Sequence, residues 1–326
     1  MQTEAVSVEF DSGGDFLAGQ PVSGCLALNT QRNIQLERIA IKLTGRTQCS
    51  WVNKTSDIYY ESKDEFLYQT CDLTSYLSQV SDGEVLPPGL HRIPFLFQLP
   101  ESSPSSVFNE CFGWISYSCT VCIKVSKAFC LPLFSSTERE FVLEKTFKVR
   151  ALVDLAAFPH CHQPSHTADS CSELQISCCI RRGFLAAALS VSRSGFMLGE
   201  KMQLQVRVEN GTTRELSATA VVSICQRLDF KAQNRYRPQM ELFDTKNVTC
   251  VVSQAECRMI ISQLHEENVE LPIPVHLAPS SPCEALICVS YFVQLQVKNF
   301  DLRLPVVLAN LDKSNRLAQT AVTAMK

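Results

Sequence analysis

Long apolar runs are absent from the 326 residues of this chain. A transmembrane helix needs about 20 consecutive apolar residues, so we expect none here. The chain also lacks an excess of positive charge, because 30 lysines and arginines stand against 33 aspartates and glutamates. A net charge of −3 argues against a general nucleic-acid-binding protein, which needs a broad basic surface to neutralise phosphates.

Targeting signals and catalytic patterns are missing too. Residues 1–6 (MQTEAV) have neither the basic nor the apolar part of a secretory signal, and Gln2 excludes myristoylation, so we expect a cytoplasmic protein. Gly13, Gly14 and Gly199 are isolated and do not form a phosphate-binding loop. No histidine can be paired with a nucleophile, so we expect a non-enzymatic protein without a cofactor or a resident metal.

Cysteine, by contrast, is abundant, with 16 residues. In a chain without a signal peptide these are best interpreted as reduced thiols that pack like small apolar side chains. Three glycosylation sequons, at Asn53, Asn210 and Asn247, point the other way, toward a secreted protein with disulfides. The cytosolic interpretation is the one we prefer.

Apolar residues alternate with polar or small ones along most of the chain. This period of two places one side of each strand in a core and predicts antiparallel β-sandwiches. The segments that carry the pattern include 39–43, 117–125, 202–208 and 291–297. Helical spacing is poor, and for the best candidate, residues 62–80, we expect a long connection between strands that contains one helical turn.

The domain organisation follows from a change in composition. Residues 156–176 are rich in proline, histidine and small polar residues, which is typical of a linker. We therefore predict one sandwich over residues 1–155 and a second over 177–311, followed by a flexible tail at 312–326. A glycine-bounded strand opening in each half suggests that the two sandwiches are related.

Several ordered strings resemble a known family. In the first half these are residues 16–24 (FLAGQPVSG), 86–100 (LPPGLHRIPFLFQLP) and 113–117 (GWISY). In the second half they are residues 195–201 (GFMLGEK), 206–210 (VRVEN), 271–274 (LPIP) and 304–308 (LPVVL). The chain thus resembles the α-arrestins, the arrestin domain-containing proteins, over nearly its whole length. The resemblance implies two arrestin-type, immunoglobulin-like sandwiches in tandem.

The resemblance also implies an adaptor role in membrane-protein trafficking. Its expected partners are cytosolic tails of receptors or transporters and the trafficking machinery, with recruitment to the plasma membrane or endosomes. Many α-arrestins recruit ubiquitin ligases through Pro-Pro-x-Tyr motifs, but the Pro87–Pro88 pair is followed by Gly89 and Leu90. A ligase link would therefore be indirect. The first strand, residues 6–10 (VSVEF), also lacks the lysine pair that senses receptor phosphates in other arrestins.

Two groups of residues are candidate sites. The first is a set of histidines and cysteines whose spacing fits no zinc finger, so we interpret it as a polar linker whose cysteines enter the second core: His160, Cys161, His162, His166, Cys171, Cys178 and Cys179. Metal binding, or S-acylation of Cys178 or Cys179, is the alternative.

The second group is basic and aromatic. Lys231, Arg235 and Arg237 alternate with Phe230 and Tyr236. This loop is a candidate for contact with an anionic membrane or a partner protein. The simpler interpretation is a solvated hairpin loop whose arginines cover apolar surface.

Two functional hypotheses stay open at this point. One is the cytosolic trafficking adaptor without chemistry. The alternative is a secreted or cell-surface immunoglobulin-like adhesion module, which the sequons and the cysteines favour. A count of free thiols separates the two hypotheses.

Overall fold

Strands dominate the computed structural model, which describes residues 5–80, 85–125, 140–171, 184–212, 215–240, 242–281 and 285–311. Contacts divide the chain into two compact units. Unit 1 comprises Met1–Leu152 and Lys231–Asp244, and unit 2 comprises Val153–Phe230 and Thr245–Lys326. Within the described ranges, no helix has the length and apolar character needed to cross a membrane.

Unit 1 consists of two sheets. The first has the order β1–β3–β7, and the second has the order β5–β4–β9–β10–β2, with β6 on β4 and β8 on β9. All pairs are antiparallel except the short parallel pair of β10 with β2. The strands are β1 (Ala5–Phe10), β2 (Asp15–Leu17), β3 (Pro21–Thr30), β4 (Ile34–Asn53), β5 (Ile58–Asp72), β6 (Val85–Leu86), β7 (Gly89–Gln98), β8 (Val107–Asn109), β9 (Gly113–Val125) and β10 (Glu140–Arg150).

The core of unit 1 lies between these sheets. On β9 the odd-numbered side chains from Tyr117 to Val125 are all buried, as their alternation predicts. Phe10, Phe16 and Phe147 meet edge to face, with ring centroids 5.4–5.8 Å apart. Gly24 lets β1 approach β3, because a Cβ at this position would lie 2.2 Å from the Glu9 carbonyl oxygen.

Unit 2 repeats this plan. One sheet has the order β11–β12–β14–β17, and the other has the order β13–β19–β18–β15, with β16 paired to β15. The end of β15 and the start of β16, within Lys231–Asp244, belong to unit 1. The pair of β13 with β19 is parallel, as is its counterpart in unit 1. The strands are β11 (Ser165–Cys171), β12 (Leu185–Val191), β13 (Gly195–Met197), β14 (Lys201–Asn210), β15 (Leu216–Asn234), β16 (Phe243–Ile261), β17 (Leu264–Pro272), β18 (Ile287–Val297) and β19 (Phe300–Ala309).

The same hydrogen bonds recur at equivalent positions of the two units. The buried hydroxyl of Tyr117 donates to the Pro104 carbonyl oxygen at 2.7 Å, and that of Tyr291 donates to the Ala278 carbonyl oxygen at 2.5 Å. Gly19 and Gly199 both have positive φ, +77° and +89°, at the turn before β3 in unit 1 and the turn before β14 in unit 2. These matches support the expectation that the two sandwiches are related.

The structure confirms most of the strand predictions and corrects one. Alternating residues on β4, β9, β14 and β18 are buried as the sequence predicts. The expected connection over residues 62–80 is wrong in its first half, because β5 continues to Asp72 and pairs with β4 from Ala40 to Asn53. The expected helical turn is present, as the 3₁₀ turn Thr74–Tyr76 and the short α-helix α1 (Leu77–Val80).

The predicted domain boundaries stay predictions. Unit 2 begins at Val153, close to the predicted end of the first sandwich at residue 155. Within the predicted linker, residues 165–171 form β11, and two 3₁₀ turns precede it, Leu155–Ala157 and Pro159–His162. The predicted tail, 312–326, lies outside the described residues.

Candidate functional site

The three predicted cationic residues lie together at the end of one hairpin of unit 1. Lys231 is near the end of β15, which finishes at Asn234. Arg235 and Arg237 follow in the turn, which contains the 3₁₀ turn Pro238–Met240. The segment Lys231–Asp244 belongs to unit 1 as a whole. Their predicted role as a contact with a membrane or a partner stays a prediction.

Asn234 holds the turn in shape. Its buried side-chain oxygen accepts hydrogen bonds from the backbone N–H groups of Tyr236 at 2.9 Å and Arg237 at 3.2 Å. Its own N–H donates to the Leu242 carbonyl oxygen at 2.9 Å, which closes the loop. Asparagine suits this position because its short amide can replace backbone partners in a turn. The hairpin end therefore has a defined conformation.

The three cations have different surroundings. The Lys231 ammonium lies 4.4 Å from the centre of the Phe243 ring. The Arg235 guanidinium lies 5.3 Å from the centre of the Tyr59 ring, and its Nη1 is 3.5 Å from Glu61 Oε2. The hydrogen bond from Lys63, with the charges of Lys63 and Arg235, lowers the pKa of Glu61. Lys231 and Arg235 are thus engaged within unit 1.

Arg237 differs from the other two cations. Its side chain is exposed, and among the described residues it forms no ion pair. It is therefore the cation of this loop that is most available to an external anion.

Exposed apolar side chains lie on the same hairpin end as Arg237. Tyr236 is 74% exposed, Met240 60%, and Leu242 and Phe243 47% each. Exposed apolar groups beside cations suit a membrane–water interface or a partner surface. We call this surface the tip patch, and it consists of Lys231, Tyr236, Arg237, Met240, Leu242 and Phe243.

Sequence reasoning missed the apolar half of the tip patch. Met240, Leu242 and Phe243 lie within six residues of Arg237 in the chain, and their apolar character at a hairpin end was the available signal. The prediction of a basic and aromatic loop did not consider these three residues.

The tip patch is anchored to the hairpin of β4 and β5. The indole Nε1 of Trp51 donates to Asp244 Oδ2 at 2.9 Å, and Asn53 Nδ2 lies 3.5 Å from the same oxygen. Trp51 is buried and stacks on Tyr60 with ring centroids 6.4 Å apart. The backbone N–H of Arg235 donates to the Tyr59 carbonyl oxygen at 3.1 Å. These bonds fix both sides of the hairpin end.

The histidine and cysteine set forms no metal site among the residues that the structure describes. No group of three or more histidine, cysteine, aspartate or glutamate side chains is arranged to hold an ion there. Cys161 instead packs with Leu155 and Ala309 in the unit 2 core, and burial raises the pKa of its thiol. Cys178 and Cys179 lie outside the described residues, so the S-acylation alternative stays a prediction.

The cysteines with described side chains are all free thiols. Burial raises the pKa of Cys49 to about 11 and that of Cys119 to about 12. A raised pKa keeps a thiol protonated and unreactive. These two cysteines thus act as small core side chains, which is the role that the sequence predicts for them.

Unit 2 contains a concave surface. An open cleft of about 780 Å³ lies over β11, β12, β14 and β17. Its lining is mainly uncharged and polar, and includes Ser190, Gln203, Gln205 and Asn268. Hydroxyl and amide groups can bond to many polar partners, so the cleft favours no particular class of ligand.

Comparisons with known proteins bear on both units. A family model for the N-terminal domain of arrestin (or S-antigen) matches residues 6–156, and a model for its C-terminal domain matches residues 181–311. Arrestin domain-containing protein 17 of Caenorhabditis elegans is 25% identical over 315 residues, which cover 93% of this chain and 69% of that protein. Arrestin domain-containing protein 1 of Rattus norvegicus and of Homo sapiens are each 23% identical over 295 residues, which cover 90% of this chain and 61% of those proteins.

These matches confirm the predicted fold of two tandem arrestin domains and support an adaptor role of the arrestin type. The chain spans about three fifths of the length of the mammalian relatives, so their complete activities are not transferred to it. Because the two models match in the arrestin order and together cover most of residues 6–311, the chain belongs to the arrestin domain-containing proteins, the α-arrestin family.

Proposed function

We propose that this protein is a non-enzymatic adaptor in membrane-protein trafficking, which places its tip patch against the anionic face of a membrane while it holds the cytosolic tail of a receptor or transporter. The observation that supports the membrane contact is that several exposed apolar side chains share one hairpin end with the exposed Arg237. Family membership supports the adaptor role. As part of this proposal, any link to a ubiquitin ligase runs through a partner protein.

The composition of the tip patch favours weak, reversible binding. Each cation near an anionic surface contributes about 1 kcal/mol, and Arg237 is the best placed to do so. Met240 and Phe243 would add the burial of their exposed apolar area, at roughly 25 cal/mol per Å². Glu61 reduces the attraction of Arg235 for anionic lipids, because their charges oppose each other. Binding to lipid alone should therefore be weak, and a cargo tail in the same membrane would strengthen it.

Vesicle co-sedimentation tests the membrane contact. We expect binding to vesicles with 30% phosphatidylserine and little binding to pure phosphatidylcholine. Arg237→Gln should weaken binding about fivefold, the equivalent of 1 kcal/mol. The double variant Met240→Ser/Phe243→Ser should weaken it by at least as much.

Two matched controls keep this test specific. Lys145→Gln removes an exposed cation of β10, and Leu96→Ser removes a 66% exposed apolar residue of β7. Both should bind vesicles as the unmodified protein does. Equal binding by the tip-patch variants and the unmodified protein would refute the membrane contact.

Proximity labelling in living cells tests the trafficking role. The unmodified protein should label receptors, transporters or trafficking components, and the double tip-patch variant should label fewer of them. If the unmodified protein labels no membrane cargo and no trafficking component, the proposed role is wrong.

A further inference from the structure

Tyr236 is the most exposed of the seven tyrosines of this chain. It is 74% exposed at the hairpin end, and its hydroxyl has no hydrogen-bond partner among the described residues. A protein kinase transfers the terminal phosphoryl group of ATP to a hydroxyl that can enter its active site in line with the leaving ADP. Such a transfer requires a phenol that protrudes and whose hydroxyl is not already bonded. Tyr236 meets both requirements.

The other six tyrosines do not meet these requirements. Tyr117 and Tyr291 are buried, and their hydroxyls donate to carbonyl oxygens. Tyr68 is 57% exposed, but it lies inside β5, where pairing with Thr44 of β4 fixes its backbone. The remaining three are only partly exposed, and each packs against another ring or a guanidinium: Tyr59, Tyr60 and Tyr76. The structure thus singles out one tyrosine.

The backbone around Tyr236 can leave the turn while the strands stay paired. Residues 235–240 lie between β15 and β16 and belong to neither strand. The side-chain oxygen of Asn234 holds them through the N–H groups of Tyr236 and Arg237. Opening of the turn breaks a few hydrogen bonds of this kind, and such local openings occur without global unfolding. A kinase can therefore bind this segment in an extended form while unit 1 stays folded.

The charge of a phosphate on Tyr236 opposes the charge of the tip patch. Lys231 and Arg237 give the patch two positive charges, and Arg235 beside it is engaged with Glu61. A phosphotyrosine carries about −1.5 to −2 charges at pH 7, so the sum falls from about +2 to about zero. The phosphorylated ring also resists burial among lipid headgroups, because it carries a charge. Phosphorylation therefore removes the attraction between the tip patch and an anionic surface.

We propose that Tyr236 is a phosphorylation site for a tyrosine kinase, and that its phosphate releases the tip patch from anionic membranes. In this step the Tyr236 oxygen forms a bond to the γ-phosphorus of ATP, the bond from that phosphorus to ADP breaks, and the hydroxyl proton passes to a base of the kinase. ADP and phosphotyrosine are the products. The release rests on the proposed membrane contact, whereas the choice of Tyr236 rests on its exposure and its free hydroxyl alone.

Phosphopeptide mapping tests the site. The protein is incubated with the catalytic domain of a broad-specificity tyrosine kinase and Mg-ATP, and mass spectrometry locates the phosphate. Tyr236 should be the main phosphorylated residue, and Tyr236→Phe should lose most of the incorporated phosphate. Tyr68→Phe is the matched control, because it removes an exposed tyrosine that a strand holds, and it should incorporate as much phosphate as the unmodified protein. No phosphate on Tyr236, or equal phosphate on Tyr68, overturns the proposal.

Vesicle co-sedimentation tests the release. The phosphorylated protein should bind phosphatidylserine vesicles at least about tenfold more weakly than the unmodified protein, because the phosphate offsets two cations. Treatment with a tyrosine phosphatase should restore binding, and Tyr236→Phe should bind equally before and after kinase treatment. Equal binding by the phosphorylated and the unmodified protein overturns the release and leaves the membrane contact standing. An unmodified protein that binds no vesicles refutes the membrane contact itself, and the release with it.

Discussion

The anchor between Trp51 and Asp244 should contribute measurably to the stability of unit 1. Asp244→Ala removes the acceptor of the Trp51 indole N–H, which lies in a site where the tryptophan is only 6% exposed. Water cannot readily replace the lost partner there. A buried donor left without its partner costs about 1–3 kcal/mol, and a hydrogen bond to a charged group contributes at the upper end of this range.

We expect Asp244→Ala to lower the free energy of unfolding of unit 1 by about 2 kcal/mol. The more distant Asn53 amide, at 3.5 Å, adds little to this value. Asp244→Asn keeps an oxygen acceptor and should lose about 1 kcal/mol or less. Asp64→Ala is the matched control, because Asp64 is an exposed carboxylate on the neighbouring strand β5. Its substitution should change stability by less than about 0.5 kcal/mol.

Urea unfolding followed by tryptophan fluorescence is a suitable assay. The chain has two tryptophans, Trp51 and Trp114, and both lie in unit 1, so the signal reports on this unit. With a slope of about 2 kcal/mol per M of urea, a loss of 2 kcal/mol lowers the midpoint by about 1 M. If the midpoints of Asp244→Ala and Asp64→Ala agree within about 0.2 M, the Trp51–Asp244 bond does not stabilise unit 1.

Three further predictions concern the buried tyrosines and the cysteines. Tyr117→Phe and Tyr291→Phe each remove a buried hydroxyl that donates to a carbonyl oxygen. Each should lower the free energy of unfolding by about 1–2 kcal/mol, as measured by thermal unfolding. A loss at only one of the two sites would contradict the equivalence of the two units. The exposed Cys111 and Cys250 should be alkylated in the native protein. The buried Cys49 and Cys119 should be alkylated only once the protein is denatured, with no reductant needed. Mass spectrometry of the labelled peptides measures both. Because burial raises the pKa of Cys49 to about 11, the stability of unit 1 should fall as the pH rises from about 9 toward 11, where the unfolded thiol ionises first.

Regular alternation made most of the fold predictable. Strands β9 and β14 carry apolar side chains at every second position, and the structure buries those positions. Strand β5 escaped prediction because Lys63, Asp64 and Glu65 near its middle are exposed. Backbone hydrogen bonds to β4 stabilise this strand, and such bonds do not require an alternation of apolar and polar side chains.

The candidate site was predictable only in part. Lys231, Arg235 and Arg237 are close in sequence, so a single loop brings them together. Tyr59 and Glu61, which engage Arg235, come from a strand that is remote in the chain. A sequence pattern contains no information about such partners, so it could not distinguish the engaged Arg235 from the more available Arg237.

Unit 1 is discontinuous in the chain, and this affects how the protein can be made and dissected. Its last segment, Lys231–Asp244, follows a large part of unit 2 in the order of synthesis. A ribosome must therefore translate beyond Asp244 before Trp51 can meet its acceptor. A fragment that stops at Leu152 retains the strands β1–β10 but loses this partner. The first domain expressed alone should therefore be less stable than unit 1 is in the full chain.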